Sequence, residues 1–163
     1  MNGAHIHLLL NHVPVIGTIL GLLLLVVGMI RKSTDFKLAS FGIFVISAII
    51  AIPVYFTGEP AEETVEHLPG VSHAIVEQHE ESAVISLVGV EILGILALIG
   101  MFFSLRQHRI PSWLVPTVLV LSVVTAGLMA RTAGLGGQIR HTEIRSGATA
   151  AIQNAETQED DEH

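Results

Sequence analysis

The chain has no cysteine. That excludes disulfides, covalent c-type haem attachment and thiolate metal sites. Charge is also scarce: 14% of the 163 residues are charged, where a soluble domain carries about 25%. Basic residues are outnumbered by acidic ones, 8 Lys and Arg against 15 Asp and Glu. A chain so poor in cations is no candidate for a nucleic-acid surface. Aromatics make up only 5%. What is present is aliphatic: half the residues are hydrophobic and mean hydropathy is +0.63. These residues are gathered into long runs, the composition of a membrane protein with room for one domain.

Four runs are about the ~20 residues needed to span a bilayer. They are residues 8–30, 38–56, 83–105 and 113–130. The expected fold is all-α, an antiparallel four-helix transmembrane bundle covering residues 1–145, followed by a disordered acidic tail over 146–163. The tail is rich in Ala, Gln and acids and has too little apolar surface to offset its ordering entropy. No Lys or Arg precedes the first run and no small-x-small site follows it, so the start does not read as a cleaved signal. Gly17, Gly21 and Gly28 fall on one helical face and form a small-residue stripe for close packing of another helix. Pro53 should kink the second span near its end.

Between spans two and three, residues 58–81 hold seven glutamates and neither Lys nor Arg. Glu59 to Leu68 reads as a short amphipathic surface helix, with Pro60 in the first turn, acids near the positive end of the dipole, and Pro69-Gly70 as a stop. Ser72 is a candidate cap for the helix that leads into span three. Five of the eight Lys and Arg lie in the two short loops after spans one and three. Those loops are expected in the cytoplasm, with both termini and the acidic loop on the outer side.

This topology gathers His5, His7, His12, His67, His73, His79 and His141 at the outer end and leaves His108 inside. His5 and His12 are seven apart and share a helical face, while His7 points the other way. His12 and His79 stand at matched depth on different helices, which is what axial ligation of a b-type haem requires. His141 is the next candidate ligand. Arg131 and Arg140 suit the propionates, and Gly136 and Gly137, with Gly134, would admit a flat ligand close to the backbone. The second reading is a non-haem metal held by His5, His7, His67 and His73 with nearby glutamates. The usual Glu-x-x-His and His-Glu-x-x-His signatures are absent, however. The plainest reading is a set of interfacial histidines with no cofactor. The chain would then be an accessory or scaffold subunit docking through Gly17, Gly21 and Gly28. Glu91 lies about nine residues into span three, where an ionisable group is a functional candidate. It would be an intramembrane proton site, a partner for Arg131, or a neutral acid hydrogen-bonded to a neighbour.

Four stretches occur in order: His5-Ile-His7-Leu-Leu-Leu-Asn11-His12-Val-Pro14, Thr57-Gly58-Glu59-Pro60-Ala-Glu62-Glu63 with Glu66-His67-Leu-Pro-Gly, His79-Glu80-Glu81, and Arg131-Thr-Ala-Gly-Leu-Gly136-Gly137-Gln-Ile-Arg140-His141. Together they resemble a family of bacterial four-span inner-membrane proteins described only as a domain of unknown function. Some of its members are fused to Rieske or cytochrome c domains. The resemblance implies a bacterial inner-membrane location and a redox setting. This chain carries no such fused domain, so a quinone, a membrane redox complex or an outer-face electron carrier would be a separate partner. No activity comes with the resemblance.

Overall fold

The computed structural model describes residues 3–65 and 70–141, the side chain of Arg140 excepted. Six helices follow one another: α1 (Gly3–Leu10), α2 (His12–Ile30), α3 (Thr34–Phe56), α4 (Gly58–Val65), α5 (His73–Gln107) and α6 (Leu114–Arg140). Among the described residues there is no strand. Four helices are long and apolar enough to cross a membrane, α1 and α2 counting as one over Gly3–Ile30. The expected all-α bundle is therefore what the chain forms. His67 and residues 142–163, which include the tail expected to be disordered over 146–163, lie outside the described residues.

The helices close into a ring in which α2 packs on α3, α3 on α5, α5 on α6 and α6 back on α2. Short turns at 31–33 and 108–113 close one end of the ring. The other end collects α1, α4, the start of α5 and the end of α6.

Inside, the bundle packs large apolar side chains such as Leu25, Phe41, Phe44 and Leu93 together with small hydroxyl residues, and its outside is oily. Thr18, Ser40, Ser47, Ser82, Ser86, Ser104, Ser122 and Thr125 are all buried, whereas Ile49, Val88, Ile95 and Val120 are each more than half exposed. In lipid, apolar side chains gain nothing by turning inward, so close approach of small residues holds helices together. The Gly17, Gly21 and Gly28 stripe shows this. A methyl at Gly17 would collide with the Ser47 hydroxyl, and one at Gly21 would stand 2.5 Å from the Phe44 ring. At Gly28 it would lie 3.0 Å from the Lys37 backbone nitrogen. The stripe is thus filled by α3 of the same chain and does not serve as a docking face for another protein. Across the ring, Gly94 admits Ala48 and Gly100 admits the Phe41 ring. Ser40 adds a bond between helices, its hydroxyl donating to the Gly21 carbonyl at 2.7 Å.

Local chemistry sets the boundaries. Pro14 has no N–H to offer Leu10, and the ladder breaks there between α1 and α2. Helix α2 ends in a Schellman turn: Ser33 N–H donates to Gly28 O at 3.0 Å and Lys32 N–H to Met29 O at 3.2 Å. Lys32 holds the left-handed position usually given to glycine, with φ 51°. Ser72 does cap α5 by position, yet its hydroxyl makes no cap bond. Its carbonyl instead accepts Ile75 N–H at 3.0 Å and Val76 N–H at 3.1 Å. Pro53 stays inside α3. The surface helix expected over Glu59–Leu68 is observed as α4, starting at Gly58.

The stretch Gly134, Gly136 and Gly137 is helical, and α6 runs past the span expected to end at residue 130, on to Arg140. The i→i−4 ladder continues to the end, with His141 N–H donating to Gly137 O at 3.0 Å. Ala133, Leu135 and Gln138 support a helix there, and no proline interrupts it.

Candidate functional site at the histidine end

Helix α5 has 35 residues, a length of about 52 Å, whereas the hydrocarbon layer is about 30 Å thick. With residues 83–105 in the hydrocarbon, His73 to Ser82 project beyond it. His79 sits in that overhang, half-buried against α6. Its Nδ1–H donates to the Thr132 carbonyl at 3.0 Å. Gly136 makes the approach possible: a methyl there would lie 3.1 Å from the imidazole Cε1 and 3.4 Å from Nδ1. Gly136 is therefore covered by the His79 ring.

Below His79, three hydroxyls tie the same two helices. Ser82 and Ser86 contact Thr132 Oγ1 at 2.7 and 2.9 Å, and Thr132 Oγ1 donates to Leu128 O at 3.1 Å. A hydroxyl has one proton and two lone pairs. Since Thr132 spends its proton on Leu128, both serines donate to it, and all three bonds are satisfied.

His7 is held in the same manner from the other side. It is half-buried on α1, and its Nδ1–H donates to the Val54 carbonyl at 3.0 Å. Val54 is in the last turn of α3, where carbonyls have no helical partner. Thr57 Oγ1 donates to the Pro53 carbonyl at 2.8 Å and approaches the Val54 oxygen at 3.1 Å with the same proton. Gly58 borders the His7 ring, since a methyl there would stand 3.8 Å from Cε1.

A carbonyl accepts, so Nδ1 of each ring carries the proton and, in the neutral imidazole, Nε2 carries the lone pair. Burial holds the pKa of His79 below the ordinary histidine value; the backbone bond to Thr132 opposes this, and the charge of His7 adds to it. His7 is therefore the histidine whose charge reaches His79. Between them in sequence, Asn11 keeps its side-chain oxygen buried with no hydrogen-bond partner among the described residues.

The remaining candidates are distributed differently. His12, paired with His79 by depth in the sequence, is exposed on the first turn of α2, and His5 is exposed on α1. The seven-residue spacing does place those two on a common face, but the face that turns inward is that of His7. His73 is exposed at the start of α5 and His141 is exposed at the end of α6. Arg131 is exposed on α6. The Arg140 side chain and His67 lie outside the described residues. Among the described residues, no three His, Asp or Glu side chains converge as a metal cage, so His5, His7 and His73 do not form one.

Glu91 is half-exposed on α5, and its Oε1 is buried without a hydrogen-bond partner among the described residues. Thr132 lies level with Ser82 and Ser86, which puts its neighbour Arg131 roughly 10 Å along the axis from Glu91. A direct pair between them is not formed. Thr125 Oγ1, beside Gly89, is likewise buried and unpartnered among the described residues.

Sequence spacing missed both backbone anchors, which join residues 47 and 53 apart. The only local signal was glycine: Gly58 and Gly136 each stand where an imidazole comes close. Compared with known families, curated proteins and solved structures, the chain matches none.

Proposed function

We propose that this four-span membrane protein is an electron-transfer subunit whose histidine end binds a b-type haem, which His7 and His79 would hold. The observation that carries the reading is the shared anchoring of these two rings. Each donates Nδ1–H to a main-chain carbonyl of a neighbouring helix. That second-sphere bond is the usual partner of a ligating histidine, because it fixes tautomer and ring plane and raises basicity at Nε2. The donor set fits iron: two imidazoles, on α1 and α5, whose Nδ1–H is already engaged so that Nε2 is left as the donor atom. Haem, when bound, supplies one-electron exchange.

The chain's own residues do the rest. Val54 and Thr132 hold the rings. Ser82, Ser86 and Thr132 keep α5 and α6 in register beneath them. Arg131 offers a guanidinium at the same end for a carboxylate. His12 and His141 are exposed and take no part in this assignment, and Gly136 serves the His79 ring instead of a ligand. The basic loops favour an orientation with the histidine end outward, at the bacterial inner membrane. The electron donor would then be a quinone or membrane complex and the acceptor an outer-face carrier.

The test is an absorption spectrum of detergent-purified protein from haem-supplied cells, oxidised and then reduced with dithionite. A Soret band with sharp reduced α and β bands is expected, lost in His7→Ala and in His79→Ala and kept in His12→Ala. A flat visible spectrum at full yield overturns the reading. Metal analysis of that colourless protein then separates a non-haem metal site from a cofactor-free subunit in which the two histidines only latch helices.

A further inference from the structure

The two basic turns meet at the end of the bundle opposite the histidines. Beside them lies an open pocket of about 540 Å³. Lys37, His108 and Arg109 line it, with the hydroxyl residues Thr34 and Ser112 between them and Met29 at its apolar side. The stretches 31–37 and 106–112 together carry five cations and one carboxylate, Asp35. Among the described residues no ion pair engages Lys37 or Arg109.

The backbone adds to this field. Thr34 and Lys37 belong to the first turn of α3, and Ser112 directly precedes α6. Helix α6 begins without any side-chain cap bond; Leu114 N–H donates to the Pro111 carbonyl at 3.1 Å, so the cations and hydroxyls, and not free α6 donors, set the character of the pocket. The start of α3, the cations of Lys37 and Arg109 and two hydroxyls around one concavity suit a phosphate-bearing anion.

We propose that this pocket binds the headgroup of an anionic phospholipid. Its position selects a lipid over a soluble phosphate. The pocket lies at the ends of the spanning helices, where headgroups sit, and the exposed Trp113 stands next to Ser112 at the same level. Below it the aliphatic outer faces of the bundle continue, for example Val120 and Val124, so acyl chains follow on from a seated headgroup. Basic pockets between spanning helices are a recurrent form of lipid recognition. A zwitterionic choline headgroup brings its own cation and is disfavoured.

Trp113 is the only tryptophan in the chain, which supplies the assay. The full chain is held in detergent micelles doped with phosphatidylglycerol or phosphatidylcholine, each carrying brominated acyl chains, and quenching of Trp113 fluorescence reports the lipid beside it. Phosphatidylglycerol should quench with at least a fivefold lower half-saturating mole fraction, since one cation near an anionic surface is worth roughly fivefold in affinity. Lys37→Gln with Arg109→Gln should abolish the preference. Arg31→Gln with Lys32→Gln, which removes the same charge beside the pocket, should retain it. Inorganic phosphate at 20 mM, compared with chloride of equal ionic strength, should not relieve the quenching of the native protein.

Three results would overturn the assignment. Equal quenching by the two lipids removes the site. Equal loss in both double variants reduces it to diffuse attraction. Relief by phosphate makes it a site for a free anion; this last arm uses the native sequence and does not depend on any variant folding.

Discussion

Substituting Gly136 by alanine sets two effects of similar size against each other. The substitution removes a glycine from the part of α6 that extends past residue 130, outside the hydrocarbon, and there an alanine favours the helix by about 0.8–1.0 kcal/mol. Against this, the new methyl would stand 3.1 Å from His79 Cε1, and the ring cannot simply retreat because Nδ1 is bonded at 3.0 Å to Thr132 O. Restoring an ordinary contact moves the ring by roughly half an ångström and takes that hydrogen bond to the edge of its range, which costs about 0.5–1.5 kcal/mol. The two terms nearly cancel, so Gly136→Ala alone should change stability by less than about 1 kcal/mol. In a His79→Ala background the clash is gone, and the same substitution should stabilise by nearly the full helix term of about 1 kcal/mol. The coupling between the two positions is therefore roughly 1 kcal/mol, well above the few tenths expected of independent sites. The assay is reversible unfolding in mixed detergent micelles, followed by circular dichroism, for the native protein, both single variants and the double variant. Equal effects of Gly136→Ala in the two backgrounds would refute the packing of His79 on Gly136 and the anchoring inferred from it.

Two further outcomes are expected. His79 is kept below the ordinary histidine range, mainly by burial. The folded protein therefore binds fewer protons than the unfolded chain in this window. Stability from this group is complete above about pH 6.5 and declines as pH falls from there towards the folded value. Melting temperatures in detergent between pH 8 and 5 should fall on acidification, with a shallower fall in His79→Gln. At the end of α2, Lys32→Gly relieves a left-handed side-chain residue at φ 51°, a strain of order 1 kcal/mol. It should raise thermal stability by a few degrees, whereas Lys32→Ala, strained in the same way, should not.

The membrane architecture was open to reading because it is written in one dimension. Long aliphatic runs, proline and glycine punctuation and basic turns each act locally, so the four spans, the short helix after Gly58 and the glycine stripe of α2 follow from composition and period. What the local reading missed has one cause. Glycine over 134–137 announces a close approach without saying of what, and Gly136 serves a ring from a helix 57 residues earlier. Likewise, spacing says that His5 and His12 share a face but cannot say which face turns to the bundle. That choice is made by the packing of α1 on α4 and α3, where Val54 presents a carbonyl without a helical partner. The anchor of His79 on Thr132 spans 53 residues, and the hydroxyl group of Ser82, Ser86 and Thr132 beneath it depends on the same pairing of α5 with α6. The scaffold reading of the glycine stripe failed for a related reason: small residues announce a close neighbour but do not say that the neighbour is the next helix of the same chain.

The overhang of α5 makes bilayer thickness a control variable for the histidine end. With the hydrocarbon boundary near residue 83, His79 rises only about 6 Å above it, within a headgroup layer some 5–8 Å deep, while His73 stands about 15 Å out, in water. A membrane thicker by a few ångströms would draw His79 into the acyl region and leave His73 wet. A thinner one would hydrate both. Acyl-chain length therefore tunes the dielectric around the His79 imidazole without any change of sequence. The same protein reconstituted in short- and long-chain lipids should present that ring at two different ease-of-protonation settings.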